Sequence, residues 1–405
     1  MEQVEALVIG AGQAGLSASR ELQRAGVEHL VLERGRTGQT WRGRWDSFCL
    51  VSPNWTLQLP DHPYLGNAPD GFMLRGEIVA YLEGYRDAFA LPVREGVDAL
   101  SVESGSDGFR VGTTGGEILA RALVLATGAY QRPHRPPAAQ TLPADLLQID
   151  VSDYRNPAVL PPGRVLVVGS GQSGCQIAEE LHQVGREVIL SCGRAPWVPR
   201  RLGGRDIFHW LVDTGFMEER VEALPAPTAR LAANPIATGH GGGHDLDLRV
   251  LRARGVTLAG HLIGASSEEV RFADDLGESL AWGDERNRQL MDAIRETADR
   301  LGIPRPEIQE LEPFDPAAPD RVSLDGFGAV VFAGGFRPMY QAWLPWPEAF
   351  DGLGFPIHRE CASTVVDGLY FVGVHFLRQR KSSLFLGVGE DAAIVARAIG
   401  ARSSP

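Results

Sequence analysis

Residues 4–35 read VEALVIGAGQAGLSASRELQRAGVEHLVLERG. The run at 4–9 is short, apolar and β-branched, as in a buried parallel strand. Gly10, Gly12 and Gly15 follow in the spacing G-x-G-x-x-G. Residues 14–25 have helical character, with Leu16 and Leu22 on the face that packs on a sheet. Gly26 ends that helix, a second strand runs over 29–32, and Glu33 stands at its end.

Each residue type has a physical task. Gly10 allows the tight turn out of the strand, Gly12 lets the backbone approach a pyrophosphate, and Gly15 lets helix and strand pack closely. The free N–H groups at the helix start attract an anion. Glu33 is placed to accept hydrogen bonds from ribose hydroxyls. Strand, glycines, helix, strand and acid agree, so the stretch predicts a dinucleotide site.

Outward from it, the chain has 405 residues, room for two domains. It is 44% hydrophobic and 22% charged, ordinary for a globular protein. A net charge of −12 argues against a general nucleic-acid binder. No apolar run reaches membrane-spanning length, and the first strand begins too early for a cleavable leader. Cys49, Cys175, Cys192 and Cys361 form no C-x-x-C, so neither a zinc site nor a reductase dithiol is expected. His240 and His244 are separated by glycines, and no metal is expected there. The expectation is a reduced, cytoplasmic protein with no membrane or nucleic-acid partner. Nothing in the sequence fixes its oligomeric state.

After Glu33 comes an irregular stretch rich in Gly, Trp and Pro, the mark of a functional loop. Trp41, Trp45 and Trp55 are expected to line a flat ring. Residues 74–90 read as a helix, with Ile78, Tyr81, Leu82 and Tyr85 on one face; 91–125 read as short strands ending in Ala126, Thr127 and Gly128. Prolines crowd 133–162, a predicted crossing between domains.

Then RVLVVGSGQSGCQIAEELHQVG, at 164–185, repeats the opening theme without a gap. Gly169, Gly171 and Gly174 restate the glycine motif, and the strand end recurs at 330–335, with Gly334 and Gly335. Two dinucleotide modules are therefore expected. The position matching Glu33 is Cys192, flanked by Ser191 and Arg194, with Arg200 and Arg201 behind. Losing the acid and gaining arginine suits a 2′-phosphate. The first copy thus suits FAD and the second NADPH. Residues 249–275 read as strands and 284–301 as a helix; near the end, Gly373 follows a strand and a last helix opens near Glu390.

GAGQAG, GQTWRGRW, LATGAYQRP, GSGQSG, AGGFRP and KSSLFLGVGED together resemble the flavin-containing monooxygenases, the group that includes the YUCCA-like enzymes, over nearly the whole chain. The resemblance implies an α/β fold of two Rossmann-like domains, with an NADPH domain inserted into an FAD domain. The segments expected are 1–160 and 336–405 for FAD and 161–335 for NADPH. It implies an oxidoreductase that takes hydride from NADPH and inserts one atom of O2 into a small molecule through a C4a-(hydro)peroxyflavin. The alternative is an FAD-dependent oxidase or reductase without oxygen insertion.

Around FAD it implies Gln13 and Ala14 at the first helix, Arg34 beside Glu33, and Thr40 and Trp41 in the loop. Val97, Leu384 and Phe385 join them. Around NADPH it implies Gln172 and Ser173. Asn54 is the implied hydrogen-bond donor to the oxygenated flavin, and Lys381, the sole lysine, is expected beside the flavin ring or a phosphate. The family signature F-x-G-x-x-x-H-x-x-x-[YF] falls on 144–154, where Tyr154 fits but Ala144, Leu146 and Asp150 depart. Asp150 is expected to pair with an arginine and be structural.

Overall fold

The computed structural model describes residues 2–232, 234–311 and 313–403. The opening strand, Glu2–Ile9, lies at the heart of a nine-stranded sheet. It runs parallel to His29–Glu33 on one side and to Gly116–Leu125 on the other. Val93–Glu95 extends the sheet beyond His29–Glu33, and Leu369–Phe371, from the far end of the chain, extends it beyond Gly116–Leu125. The antiparallel strands Ala99–Gly105 and Gly108–Thr113 close onto Gly116–Leu125. Val8, Val31, Val124 and Phe371 are wholly buried, as parallel strands covered on both faces must be.

The second sheet has five parallel strands, in the order Leu147–Asp150, Phe327–Phe332, Arg164–Val168, Val188–Ser191 and Thr257–Ala259. Leu147–Asp150, expected within the first FAD segment, thus pairs in the second sheet. Between the sheets the chain crosses twice, and the crossings pair: Arg132–Pro133 runs antiparallel to Phe336–Arg337.

The sequence repeat is also a contact repeat. The first helix spans Gln13–Arg24 and its counterpart Gln172–Gln183. A Cβ on Gly10 would lie 2.8 Å from the Ala126 carbonyl oxygen, and one on Gly169 would lie 2.6 Å from that of Ala333. A Cβ on Gly15 would lie 1.7 Å from the Gly10 oxygen, and one on Gly174 would lie 1.8 Å from the Gly169 oxygen. Gly10, Gly15, Gly169 and Gly174 are therefore closed to any side chain.

The helix expected at 74–90 is Arg75–Ala88, which buries Ile78, Val79, Leu82 and Tyr85. Two expectations need correction. Residues 249–275 begin as helix, Leu248–Arg254, because Asp247 caps it by accepting from the Val250 N–H at 2.9 Å. The later helix is longer than read, Leu276–Leu301, since Leu276 and Leu280 extend its buried stripe. Among the described residues, no helix is long and apolar enough to cross a membrane.

Candidate functional site

The carboxyl ends of three neighbouring parallel strands form the first site. Ile9 pairs with Leu125, and Leu125 with Phe371, so the chain leaves all three strands at one edge. Open α/β sheets bind ligands at that edge. Gly12 caps the first helix, and a Cβ there would meet nothing within 4 Å. Its backbone faces open space at a helix N-terminus, the environment a pyrophosphate requires. Gly373 passes so close that its Cβ would lie 2.3 Å from the Cβ of Ala14.

Glu33 is buried, and its two oxygens accept from the Ala11 and Gly35 N–H groups, both at 2.9 Å. Val97 donates its N–H to the Glu33 carbonyl, and Ala126 donates to that of Ile9. Gly128 accepts from the Tyr340 hydroxyl at 2.7 Å, and Thr127 lies exposed at the edge. Arg34 and Thr40 are also exposed.

The irregular loop meets this edge through Trp41. Its indole N–H donates to Gln13 Oε1 at 2.9 Å, and Gln13 donates to the Ser383 carbonyl at 3.2 Å. The Trp41 ring stacks on Phe385 at 5.6 Å, while Leu384 beside it is half-buried. Loop, first helix and tail are therefore locked together.

Two of the three tryptophans, Trp41 and Trp45, come together at Phe48, and Trp55 packs elsewhere. Trp45 is buried edge-on to Phe48 at 5.0 Å, and Trp55 stacks on His209 at 4.6 Å. Trp41 and Trp45 share Phe48, whereas His209 reaches Trp55 through tertiary structure, which spacing does not reveal.

The residues fit a flavin nucleotide. Gly12 leaves room for its phosphates, and buried polar atoms without protein partners remain at Arg44 Nε, Trp55 Nε1 and His375 Nδ1. Native interiors rarely leave such atoms alone.

Asn54 accepts from the Met73 N–H at 2.8 Å and donates to the Ala68 carbonyl at 3.0 Å. Its amide holds the 54–73 loop, leaving one Nδ2 hydrogen. Lys381 Nζ donates to Glu218 at 2.9 Å and Glu390 at 2.6 Å. An ammonium shared by two carboxylates keeps one N–H free of them. Asp150 takes a two-pronged contact from Arg135, at 2.8 and 3.1 Å, as expected.

At the second site Gly171 caps the helix, Ser173 is half-buried beside it, and Gln172 ties the helix start to Ala237 by accepting its N–H at 3.1 Å. Gly334 lies against the His134 carbonyl, which a Cβ would approach to 2.7 Å, and the Gly335 carbonyl accepts from the His134 N–H.

Two expected phosphate contacts are otherwise engaged. The buried Ser191 hydroxyl donates to Gly260 O at 2.9 Å and accepts from the Leu262 N–H at 3.0 Å. Arg200 is 1% exposed, paired two-pronged with Asp206 and donating to the Val51 carbonyl at 2.7 Å. Arg194 is exposed and has no ion pair among the described residues. His261, which the sequence reading missed, comes within 3.0 Å of where a Gly193 Cβ would stand and binds Asp275 through Nδ1 at 2.6 Å. No local signal marks it, since it arrives from a separate loop.

A family described as pyridine nucleotide-disulphide oxidoreductase matches residues 7–207. A CzcO-like oxidoreductase of Geobacillus kaustophilus is 32% identical over 393 residues, 96% of both chains. The rice indole-3-pyruvate monooxygenase YUCCA1 is 32% identical over 211 residues, covering 50% of this chain and 51% of its own. In structure, the flavin-containing monooxygenase of Stenotrophomonas maltophilia superposes with TM-score 0.71 over the whole of both chains, at 22% identity. The chain belongs to the CzcO-like family of oxidoreductases and has the fold of the flavin-containing monooxygenases.

Proposed function

We propose that the protein is an FAD- and NADPH-dependent monooxygenase of a small, partly apolar molecule. The observation that carries this is the contact repeat: two glycine turns, each with its first and third glycines closed to a side chain, each opening a helix at the carboxyl ends of parallel strands in its own sheet. One turn serves each dinucleotide. Bound FAD would supply the two-electron and oxygen chemistry.

The chain's own residues bind, orient and keep out water. The N–H groups after Gly12 would receive the FAD pyrophosphate, and Glu33 would accept from its ribose. The N–H groups after Gly171 would receive that of NADPH. Arg194, with His261 near it, would meet the 2′-phosphate. Trp41 and Phe385 close one side of the first site, and Asn54 holds the loop that covers it. Tyr130 and Phe336, 5.8 Å apart, stand where the chain crosses to the second sheet. The four cysteines are buried and unpaired, which supports a reducing compartment such as the cytoplasm.

The second reading is an FAD oxidase or reductase without oxygen insertion. It is favoured by Asp150, which is committed to Arg135 where the resemblance expects a histidine. The test is NADPH oxidation by the yellow protein, with oxygen uptake and products measured over a panel of small amines, thioethers and oxo acids. Oxygenated product is expected. Hydrogen peroxide as the sole oxygen product across the panel would favour the second reading.

A further inference from the structure

His375 has no part in the contacts described so far, yet its place is specific. It follows the strand Leu369–Phe371 after Val372, Gly373 and Val374, at the edge where the first helix begins. The residue is 5% exposed, and its Nδ1 is buried without a hydrogen-bond partner. The neighbouring rings are Tyr130, at 6.1 Å, and Phe376, at 4.9 Å. Tyr130 belongs to the segment leaving Gly116–Leu125, so His375 sits between the exits of two neighbouring strands.

A second feature converges here. Phe376 has φ +51°, a left-handed conformation that a bulky side chain seldom adopts. Such conformations persist where the surroundings over-determine them, and they gather at functional sites. Here the turn follows directly on the imidazole. Arg380 covers the Phe376 ring at 4.7 Å. Burial, with Arg380 and Arg230 adding to it, pushes the imidazole down to about 4, so it is neutral near pH 7. A neutral imidazole offers one N–H and one lone pair.

We infer that His375 contacts the flavin ring directly, with Nδ1 exchanging a hydrogen bond with a polar atom on the ring's edge. This rests on the FAD reading above. An atom buried without a partner raises the energy of the protein until something outside the chain pairs it. The flavin edge carries carbonyl oxygens and an imide N–H, so either tautomer finds a complement.

The test uses holoprotein of the native chain, His375→Phe and His375→Asn, with folding checked by circular dichroism. FAD release on dilution is followed by flavin fluorescence, and the bound absorption spectrum and reduction potential are recorded. His375→Phe is expected to weaken FAD binding about tenfold and to shift both spectrum and potential. His375→Asn, which keeps a polar group near Nδ1, is expected to restore most of the loss. Native affinity, spectrum and potential in His375→Phe would overturn the assignment while leaving the FAD reading intact. A native protein that binds no FAD would overturn both. Should the phenylalanine variant not fold, nitrogen NMR of the ring in native holoprotein reads the same point. A hydrogen-bonded Nδ1 shift supports the contact, and a free one overturns it.

Discussion

The two arginines near the second site show how one residue type divides by burial. Arg200 joins Asp206, the Val51 carbonyl and the face of Phe72 at 4.4 Å. Arg200→Ala leaves Asp206 buried without its counter-charge, so a loss of about 3–5 kcal/mol is expected by denaturant titration. Arg194 is free to meet a phosphate. Arg194→Ala should raise the KM for NADPH about tenfold and leave that for NADH nearly unchanged, since exposure keeps the contact near the weak end of charge-assisted bonds. Equal KM values for the two cofactors in the native enzyme would sink this.

Asp150→Asn, by contrast, loosens a pair whose side chains are 37% and 19% exposed. It should cost about 1 kcal/mol or less, with turnover kept; abolished turnover at unchanged melting would count against a structural role. His375 adds a pH dependence. Its folded value near 4 lies below the ordinary 6.5, so between these the unfolded chain binds the proton first. Its contribution to stability is therefore complete above about 6.5 and is lost as pH falls toward 4, by up to about 3 kcal/mol. His375→Phe should flatten that acid-side decline in urea midpoints. Arg194, Arg200 and Ser191 look alike in sequence. What separates them is whether Asp206, Gly260 or solvent stands opposite, and that is settled only by tertiary contact.

The glycine turns are the elements that sequence reveals best, because their requirement is local: a carbonyl oxygen stands where a Cβ would go. They also separate fold from binding. Gly15→Ala drives a methyl to 1.7 Å from the Gly10 oxygen, so soluble, folded protein should be largely lost on expression. Gly12→Ala meets nothing within 4 Å and keeps φ −82°, which alanine accepts. It should melt like the native protein yet hold FAD at least about tenfold less tightly, because the methyl occupies the pyrophosphate's approach. Unchanged FAD affinity there would contradict the assignment of the turn. The helix Leu248–Arg254 was illegible for the opposite reason. Two turns followed directly by a strand carry too little periodicity, and its stability comes from the Asp247 cap and the buried Leu248 and Leu251.

At the scale of the whole molecule, the repeat announced two sheets, while their joining was hidden. Ser47 and Tyr154 both donate to Glu180 on the second dinucleotide helix, at 2.7 and 2.6 Å, and Trp55 stacks on His209. These contacts link residues far apart in the chain and leave no mark on local pattern. The paired crossings, Arg132–Pro133 beside Phe336–Arg337, have a further consequence. Antiparallel partners lie only about 5 Å apart, so the chain departs and returns at almost one point. The two covalent joints of the intervening segment therefore lie side by side, while contacts such as Ser47 with Glu180 and Arg200 with Val51 tie it down elsewhere. A lineage could exchange the intervening unit by two recombination events whose products meet at one place in space, while the nine-stranded half kept its strand order and its tail.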